Sequence, residues 1–285
     1  MLLAMCLETA ALAGNPAVDS GEKVSIVNGF PVVDVWMNGR GPFRMLIDTG
    51  TSSCALSPKA ARTAGLAFDS RVHLANISGE HLVPAARATR VRVGPIEAEG
   101  IEVLAQTIDA ARRLDSKVDG LLGQSFLSRR PYLIDYRRRR IWFGEAATRQ
   151  ASRLGPAVHA ESAYGRMVLP VEIEHGVRPW RLVLDSGAAS LIVQCSTRCP
   201  HLSEVDAGAR VITNSGERPA RQGLLRRVQV GAVSMSRAPA VLVEAAPMSN
   251  QEDGVLPAAW FSAIYVDSGR GLVRLAKGLS PSYPK

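Results

Sequence analysis

The sequence predicts an all-β chain, mainly β with a few short helices, arranged as two tandem lobes. Three observations carry that prediction. β-branched and aromatic residues fall in short alternating runs. Gly and Pro punctuate those runs at hairpin spacing. The stretch Arg44-Met45-Leu46-Ile47-Asp48-Thr49-Gly50-Thr51-Ser52-Ser53 returns 137 residues later as Arg181-Leu182-Val183-Leu184-Asp185-Ser186-Gly187-Ala188-Ala189-Ser190. At 285 residues and 46% hydrophobic composition, the chain is long enough for the two modest cores that such a repeat requires.

Met1 to Ala13 is apolar apart from Glu8 and Thr9, and Ala11-Leu12-Ala13 before Gly14 reads as a small-residue cleavage site. No cationic start precedes the run and Glu8 interrupts it, so it reads equally as an export signal beginning upstream or as a frayed tail. The first reading implies a periplasmic or secreted protein; the second leaves a cytoplasmic one. Strands are expected over Lys23 to Val27, Val32 to Met37, Phe43 to Ile47, Ala88 to Val93, Glu97 to Leu104 and Tyr132 to Tyr136, with equivalents in the second half. Ser57 to Ala64, with Pro58 early and Gly65 after, predicts a helix, and Ile108 to Leu114 a second short one. From Glu145 the alternation is lost, and Gly155 and Pro156 enter. The expected division is a first lobe over 23–147, a linker over 148–163 and a second lobe over 164–278.

Each copy of the repeated stretch is a short apolar strand running into Asp, a hydroxyl residue and Gly, which delivers a carboxyl to a tight turn. Asp-Thr-Gly by itself is a common loop tripeptide; two copies in matched surroundings are informative. Gly39 and Gly176, then Pro42 and Pro179, punctuate the preceding hairpin at the same offset. Ser78-Gly79-Glu80 matches Ser215-Gly216-Glu217, and Gly94 matches Gly231. Asp119-Gly120-Leu121-Leu122-Gly123 pairs with Asp253-Gly254-Val255-Leu256-Pro257 at an offset of 134. Tyr132-Leu133-Ile134-Asp135-Tyr136 pairs with Ile264-Tyr265-Val266-Asp267-Ser268. One acid per copy implies a pair, Asp48 with Asp185.

From Phe30 to Gly278 this order of features resembles the aspartic protease superfamily, which includes pepsin-like and retroviral-type enzymes and their bacterial two-lobed relatives. The resemblance is carried by the paired apolar-Asp-Thr/Ser-Gly turns, by Leu121-Leu122-Gly123, and by Leu133-Ile134-Asp135-Tyr136 before a basic turn. It implies two acid-protease-type β-barrel lobes related by a pseudo-twofold axis, with Asp48 and Asp185 facing each other across a cleft. It further implies that Thr49 and Ser186 cross-link the turns beneath the acids and that Gly50 and Gly187 permit their close approach. The Thr51 hydroxyl would give Asp48 a local hydrogen bond that Ala188 cannot give Asp185. Ile77, Ser78 and Gly79, with Ser215 and Gly216, stand at the positions of substrate-covering hairpins. No tyrosine occurs between Leu74 and Val83, which favours the retroviral type over the pepsin-like one. Pro257 stands where Gly123 would repeat; it lacks an N–H and fixes its own φ, so different packing is expected under the second turn.

Two carboxyls within hydrogen-bonding distance cannot both ionise cheaply, and aspartic proteases are the standard example of the resulting shared proton. One acid then serves as base toward a water and the other as acid toward a peptide carbonyl. This chemistry calls for no cofactor, metal or covalent intermediate. The five histidines, at 73, 81, 159, 175 and 201, are dispersed without an i, i+4 pair, so no His metal site is expected. The net charge of +8 comes from scattered arginines apart from Arg137-Arg138-Arg139-Arg140, where a hairpin turn belongs. Without aromatic interleaving, that run predicts no nucleic-acid partner. No apolar run approaches the ~18 residues of a membrane span.

Cys6 lies in the leading segment, Cys54 reads as a small packed residue, and Cys195 and Cys199 are near enough in sequence to bridge in an oxidising compartment. The expected partner is a peptide or protein substrate, and the expected state a monomer with both lobes in one chain. The function expected is an aspartic endopeptidase that hydrolyses peptide bonds with a water activated between Asp48 and Asp185. The alternative is a catalytically silent bilobal module that binds a peptide or protein in the cleft.

Overall fold

The chain is described by a computed structural model over residues 20–76, 79–174, 178–213, 216–245 and 252–278. Its strands begin from local turn chemistry. Phe30–Met37 alternates its burial toward its C-terminal end and folds back on Arg40–Ile47 through Asn38 and Gly39, at φ of 50° and 78°. Consecutive left-handed residues are what a tight hairpin between right-twisted strands requires.

Eight strands of the first half form one sheet. In spatial order they are Ser25–Val27, Phe30–Met37, Arg40–Ile47, Gly120–Leu122, Cys54–Leu56, Ile96–Ala105, Gly79–Val93 and Ser70–Asn76. An added pairing of Trp36 with Arg92 closes this sheet on itself, and the Arg92 guanidinium lies 4.3 Å over the Trp36 ring. The second half repeats the order with Glu161–Ala163, Arg166–Ile173, Trp180–Asp185, Gly254–Pro257, Leu191–Cys195, Val233–Glu244, Arg221–Val230 and Ser203–Asp206, closed by Glu172 against Gln229.

A six-stranded sheet joins the halves, in the order Glu22–Lys23, Arg140–Phe143, Tyr132–Asp135, Phe261–Asp267, Leu272–Lys277 and Ala157–His159. Tyr132 pairs antiparallel with Val266 and Ile134 with Ile264, so strands from the two halves meet at its centre. Period-2 alternation divides its faces. Tyr132, Ile134, Ile264 and Val266 join a core that runs under both lobes. Leu133, Trp142 and Tyr265 face the helix Gly144–Ala151, which buries Ala146, Ala147 and Ala151 against them.

The expected strands form, several longer at one end, except that Lys23 to Val27 divides at Val24 into Glu22–Lys23 of the joining sheet and Ser25–Val27 of the first-half sheet. The helix Pro58–Ala64 has the predicted punctuation: the Ser57 side chain accepts from the Ala60 N–H, and Gly65 ends it at φ 63°. The second helix covers Asp109–Leu114. Two further helices among the described residues, Gln124–Leu127 and Gly144–Ala151, are not expected from the sequence; neither has a side-chain cap. Residues 148–163 carry the end of the latter and two short strands. One of them, Ala157–His159, is recruited by Leu272–Lys277 more than a hundred residues away. Cys195 and Cys199 are bridged, and Cys54 is free and buried. No helix among the described residues is long and apolar enough to cross a membrane.

Candidate active site

Each acid ends a strand pinned by a parallel neighbour. Met45 to Ile47 pair with Gly120 to Leu122, and the Asp48 N–H donates to the Leu122 carbonyl at 3.0 Å. Leu182 to Asp185 pair in the same sense with Gly254 to Pro257. In each turn the next glycine closes an Asx-type bond: Gly50 N–H to Asp48 Oδ1 at 3.0 Å, and Gly187 N–H to Asp185 Oδ1 at 2.6 Å. The backbone N–H groups of Thr51 and Ala188 add a second donor to their respective acids.

The turns are locked by a reciprocal grip. Thr49 N–H donates to Ser186 Oγ at 3.0 Å, and Ser186 N–H donates to Thr49 Oγ1 at 2.9 Å. The hydroxyls pass their protons onward, Thr49 to the Leu184 carbonyl at 2.8 Å and Ser186 to the Ile47 carbonyl at 2.6 Å. Both residues are 1% exposed, so water cannot replace any of these bonds. The glycines show how near the acids come. A Cβ on Gly50 would stand 2.4 Å from the Asp185 carboxyl carbon, and one on Gly187 would stand 3.0 Å from that of Asp48.

Both residues keep part of their surface open, yet protein encloses their carboxyls. Loss of solvation holds Asp48 well above the ordinary carboxylate range, and the like charge of Asp185 pushes it further the same way. Burial likewise raises Asp185, against the N–H groups of Gly187 and Ala188 and the Arg166 charge. The pair holds a proton that two solvated aspartates would release, and it titrates as a unit.

The sequence-predicted residues fall as follows. Asp48, Thr49, Gly50, Asp185, Ser186 and Gly187 come together at the lobe junction. Thr51 contributes its N–H to Asp48, but its hydroxyl donates to the Ser53 carbonyl at 3.4 Å. The extra bond expected for Asp48 therefore does not form, because that hydroxyl faces down its own turn. Pro257 stays in parallel register with Asp185 at φ −64°, so the strand under the second turn persists. Gly79 pairs with Asn76, and Gly216 with Thr213, each the last pair before the turn of a hairpin. Ile77, Ser78 and Ser215 lie outside the described residues.

One residue escaped the sequence reading. Gln124, 1% exposed, donates its side-chain amide to the Thr49 carbonyl at 2.9 Å and to the Tyr132 hydroxyl at 3.1 Å. Its backbone N–H donates to the Thr51 carbonyl at 3.0 Å. The available signal was a lone amide between Gly123 and the apolar pair Phe126-Leu127. Among the described residues no cluster of three or more His, Cys, Asp or Glu could hold a metal ion.

Residues 33–126, which hold Asp48, its turn and the Leu121-Leu122-Gly123 segment beneath it, match the family described as aspartyl protease. That match spans 94 of the 285 residues, all in the first half of the chain. The chain is similar to a solved retropepsin-like aspartic protease from Rickettsia conorii, with 21% identity and a TM-score of 0.27. That similarity covers 35% of this chain and 71% of the other. Comparison with curated proteins gave no match. The family match ends before the second Asp turn, which the grip and the glycine contacts join to the first.

Proposed function

We propose that this chain is an aspartic endopeptidase that hydrolyses peptide bonds with a water activated between Asp48 and Asp185. The observation that carries the reading is the Thr49–Ser186 grip, which seats two enclosed carboxyls against each other's glycines. The pair works with one proton. Its ionised member takes a proton from the water as the water oxygen attacks the scissile carbonyl carbon, and its protonated member gives its proton to the developing oxyanion. Collapse of the tetrahedral intermediate breaks the C–N bond, and the nitrogen leaves as an amine with a proton returned through the pair. Base and acid are roles of the pair, exchanged within each turnover.

The substrate class is an extended peptide lying under the hairpins whose turns precede Gly79 and Gly216. The silent-module alternative drew on Pro257 and on unequal turns; Pro257 keeps its register with Asp185 and the Thr51 hydroxyl bonds Ser53 rather than Asp48, so no observation favours that reading. We place the protein in an oxidising compartment, periplasmic or extracellular, on the strength of the Cys195–Cys199 bridge; cell fractionation tests this. Both halves of the site lie in one chain, which supports a monomer.

The deciding experiment is a peptide-library digest by the purified protein, by Asp48→Asn and by Asp185→Asn. Cleavage by the wild type alone is expected, with an optimum below neutrality because one proton must stay on the pair. Cleavage surviving both substitutions, or a rate still climbing above about pH 9, would overturn the mechanism.

A further inference from the structure

The Gln124 amide has a fixed orientation. Its Nε2 faces the Thr49 carbonyl at 2.9 Å, and turning the group over would set Oε1 against that oxygen, lone pair to lone pair. The Thr49 carbonyl and the Gly50 N–H are opposite ends of one peptide unit, and the Gly50 N–H is the donor to Asp48 Oδ1 at 3.0 Å. A hydrogen bond received at a peptide oxygen polarises the unit and makes its N–H a stronger donor. Gln124 Nε2, the Thr49–Gly50 peptide and the Asp48 carboxylate thus form a chain of aligned dipoles ending on the reacting acid.

Among the described residues of the second lobe this arrangement does not recur. Ser186 and Gly187 supply the matching peptide to Asp185, but Ala258, fully buried, stands where Gln124 would repeat. The device acts on one acid of the pair.

We propose that Gln124 is a positioning residue that sets the proton affinity of the pair through the Thr49–Gly50 peptide. This inference rests on the proposed peptidase reading for its consequence in catalysis, but not for its test. The ionisable groups that face the pair are few. Tyr132, bonded to Gln124 Nε2, and Tyr136 are pushed by burial far above their usual range and stay neutral. Arg166 lies within electrostatic reach of Asp185 and is paired with Glu252 at 2.8 Å. None of these touches the Thr49 carbonyl, so the effect of Gln124 on Asp48 is separable from theirs. The sign follows from which form is favoured. A stronger Gly50 donor stabilises the carboxylate, so losing the Gln124 amide weakens that donor and raises the titration of the pair.

The experiment compares Gln124→Met, which keeps length without a donor, and Gln124→Asn, whose amide is too short to reach, with Tyr132→Phe and wild type. Carboxyl carbons of labelled aspartate are titrated by NMR, and kcat/KM on a cleaved library peptide is followed against pH. In both Gln124 variants the titration of the pair is expected to move up by about half a unit, the acidic limb of kcat/KM moving with it. Tyr132→Phe, which removes the other acceptor of Nε2, is expected to leave the titration in place. Superimposable titrations in folded Gln124 variants, an equal shift in Tyr132→Phe, or loss of fold in both Gln124 variants would overturn the proposal. A wild type that cleaves no peptide would refute the peptidase reading instead, while the carboxyl titration would still decide the role of Gln124.

Discussion

In the first lobe Gly123 and Gln124 follow the strand beneath Asp48; in the second Pro257 ends the strand beneath Asp185 and Ala258 follows it. The strand order, the parallel pairing, the Asx bond and the hydroxyl grip are nevertheless the same on both sides. The difference separates what the site demands from what each lobe supplies in its own way. Gly123 is demanded by its neighbours: a Cβ there would lie 2.3 Å from the Ser53 carbonyl oxygen and 2.8 Å from the Thr51 methyl. Ala188, in the place of Thr51, has no such methyl, and the second lobe carries a proline in the matching position. A second contrast lies at the strand entrances. Arg44 N–H donates to Asp119 and Arg181 N–H donates to Asp253, alike. Only in the second lobe does a disulfide-closed loop bring an arginine, Arg198, 3.7 Å over Trp180 and onto Asp253 at 2.8 Å.

If the grip is the shared requirement, breaking it from either side should cost the same. Thr49→Val orphans the Ser186 N–H and Ser186→Ala orphans the Thr49 N–H, so each is expected to lose about 3 kcal/mol in urea unfolding. A cost confined to one lobe would break the equivalence. The glycines should respond unequally. Gly50→Ala pushes a methyl into the Asp185 carboxyl and is expected to lower kcat/KM by about 100-fold, whereas Gly187→Ala, with 3.0 Å to Asp48, should lose clearly less.

Removing one charge sharpens the comparison through pH. Burial raises both acids in the folded state, and the like charge of Asp185 raises Asp48 further, so the folded protein binds protons that the unfolded chain releases. Stability from this source is complete below about pH 4 and falls as pH rises through the folded titration. Asp48→Asn is therefore expected to raise stability at neutral pH by about 1 kcal/mol, a gain seen in Tm that vanishes near pH 4. The smallest effect concerns the proline: Pro257→Gly frees the unfolded chain and should cost about half a kcal/mol. A gain in stability there would mean that Pro257 strains the second turn.

The features written in local pattern were legible: alternating strands, the Ser57 cap, and two Asp turns whose pairing followed from their repetition. Features that depend on a distant partner were not. Ala157–His159 becomes a strand only because Leu272–Lys277 offers it an edge. The Thr51 hydroxyl had two acceptors within reach of its turn, and backbone geometry chose Ser53 over Asp48. Gln124 follows a motif residue without belonging to the motif, and its importance appears only when the Thr49 carbonyl is found facing it.

The sheet joining the halves also bears on biosynthesis. Tyr132–Asp135 leaves the ribosome long before Phe261–Asp267, and until that partner arrives it presents an unpaired edge beside Arg140–Phe143. Such an edge invites association between nascent chains. The turn next to it is Tyr136-Arg137-Arg138-Arg139, with Arg138 held by Asp135 through its backbone N–H at 2.7 Å. A cluster of positive charge at that spot repels other copies of the same strand, which gives the four consecutive arginines a task during synthesis, before any substrate is met.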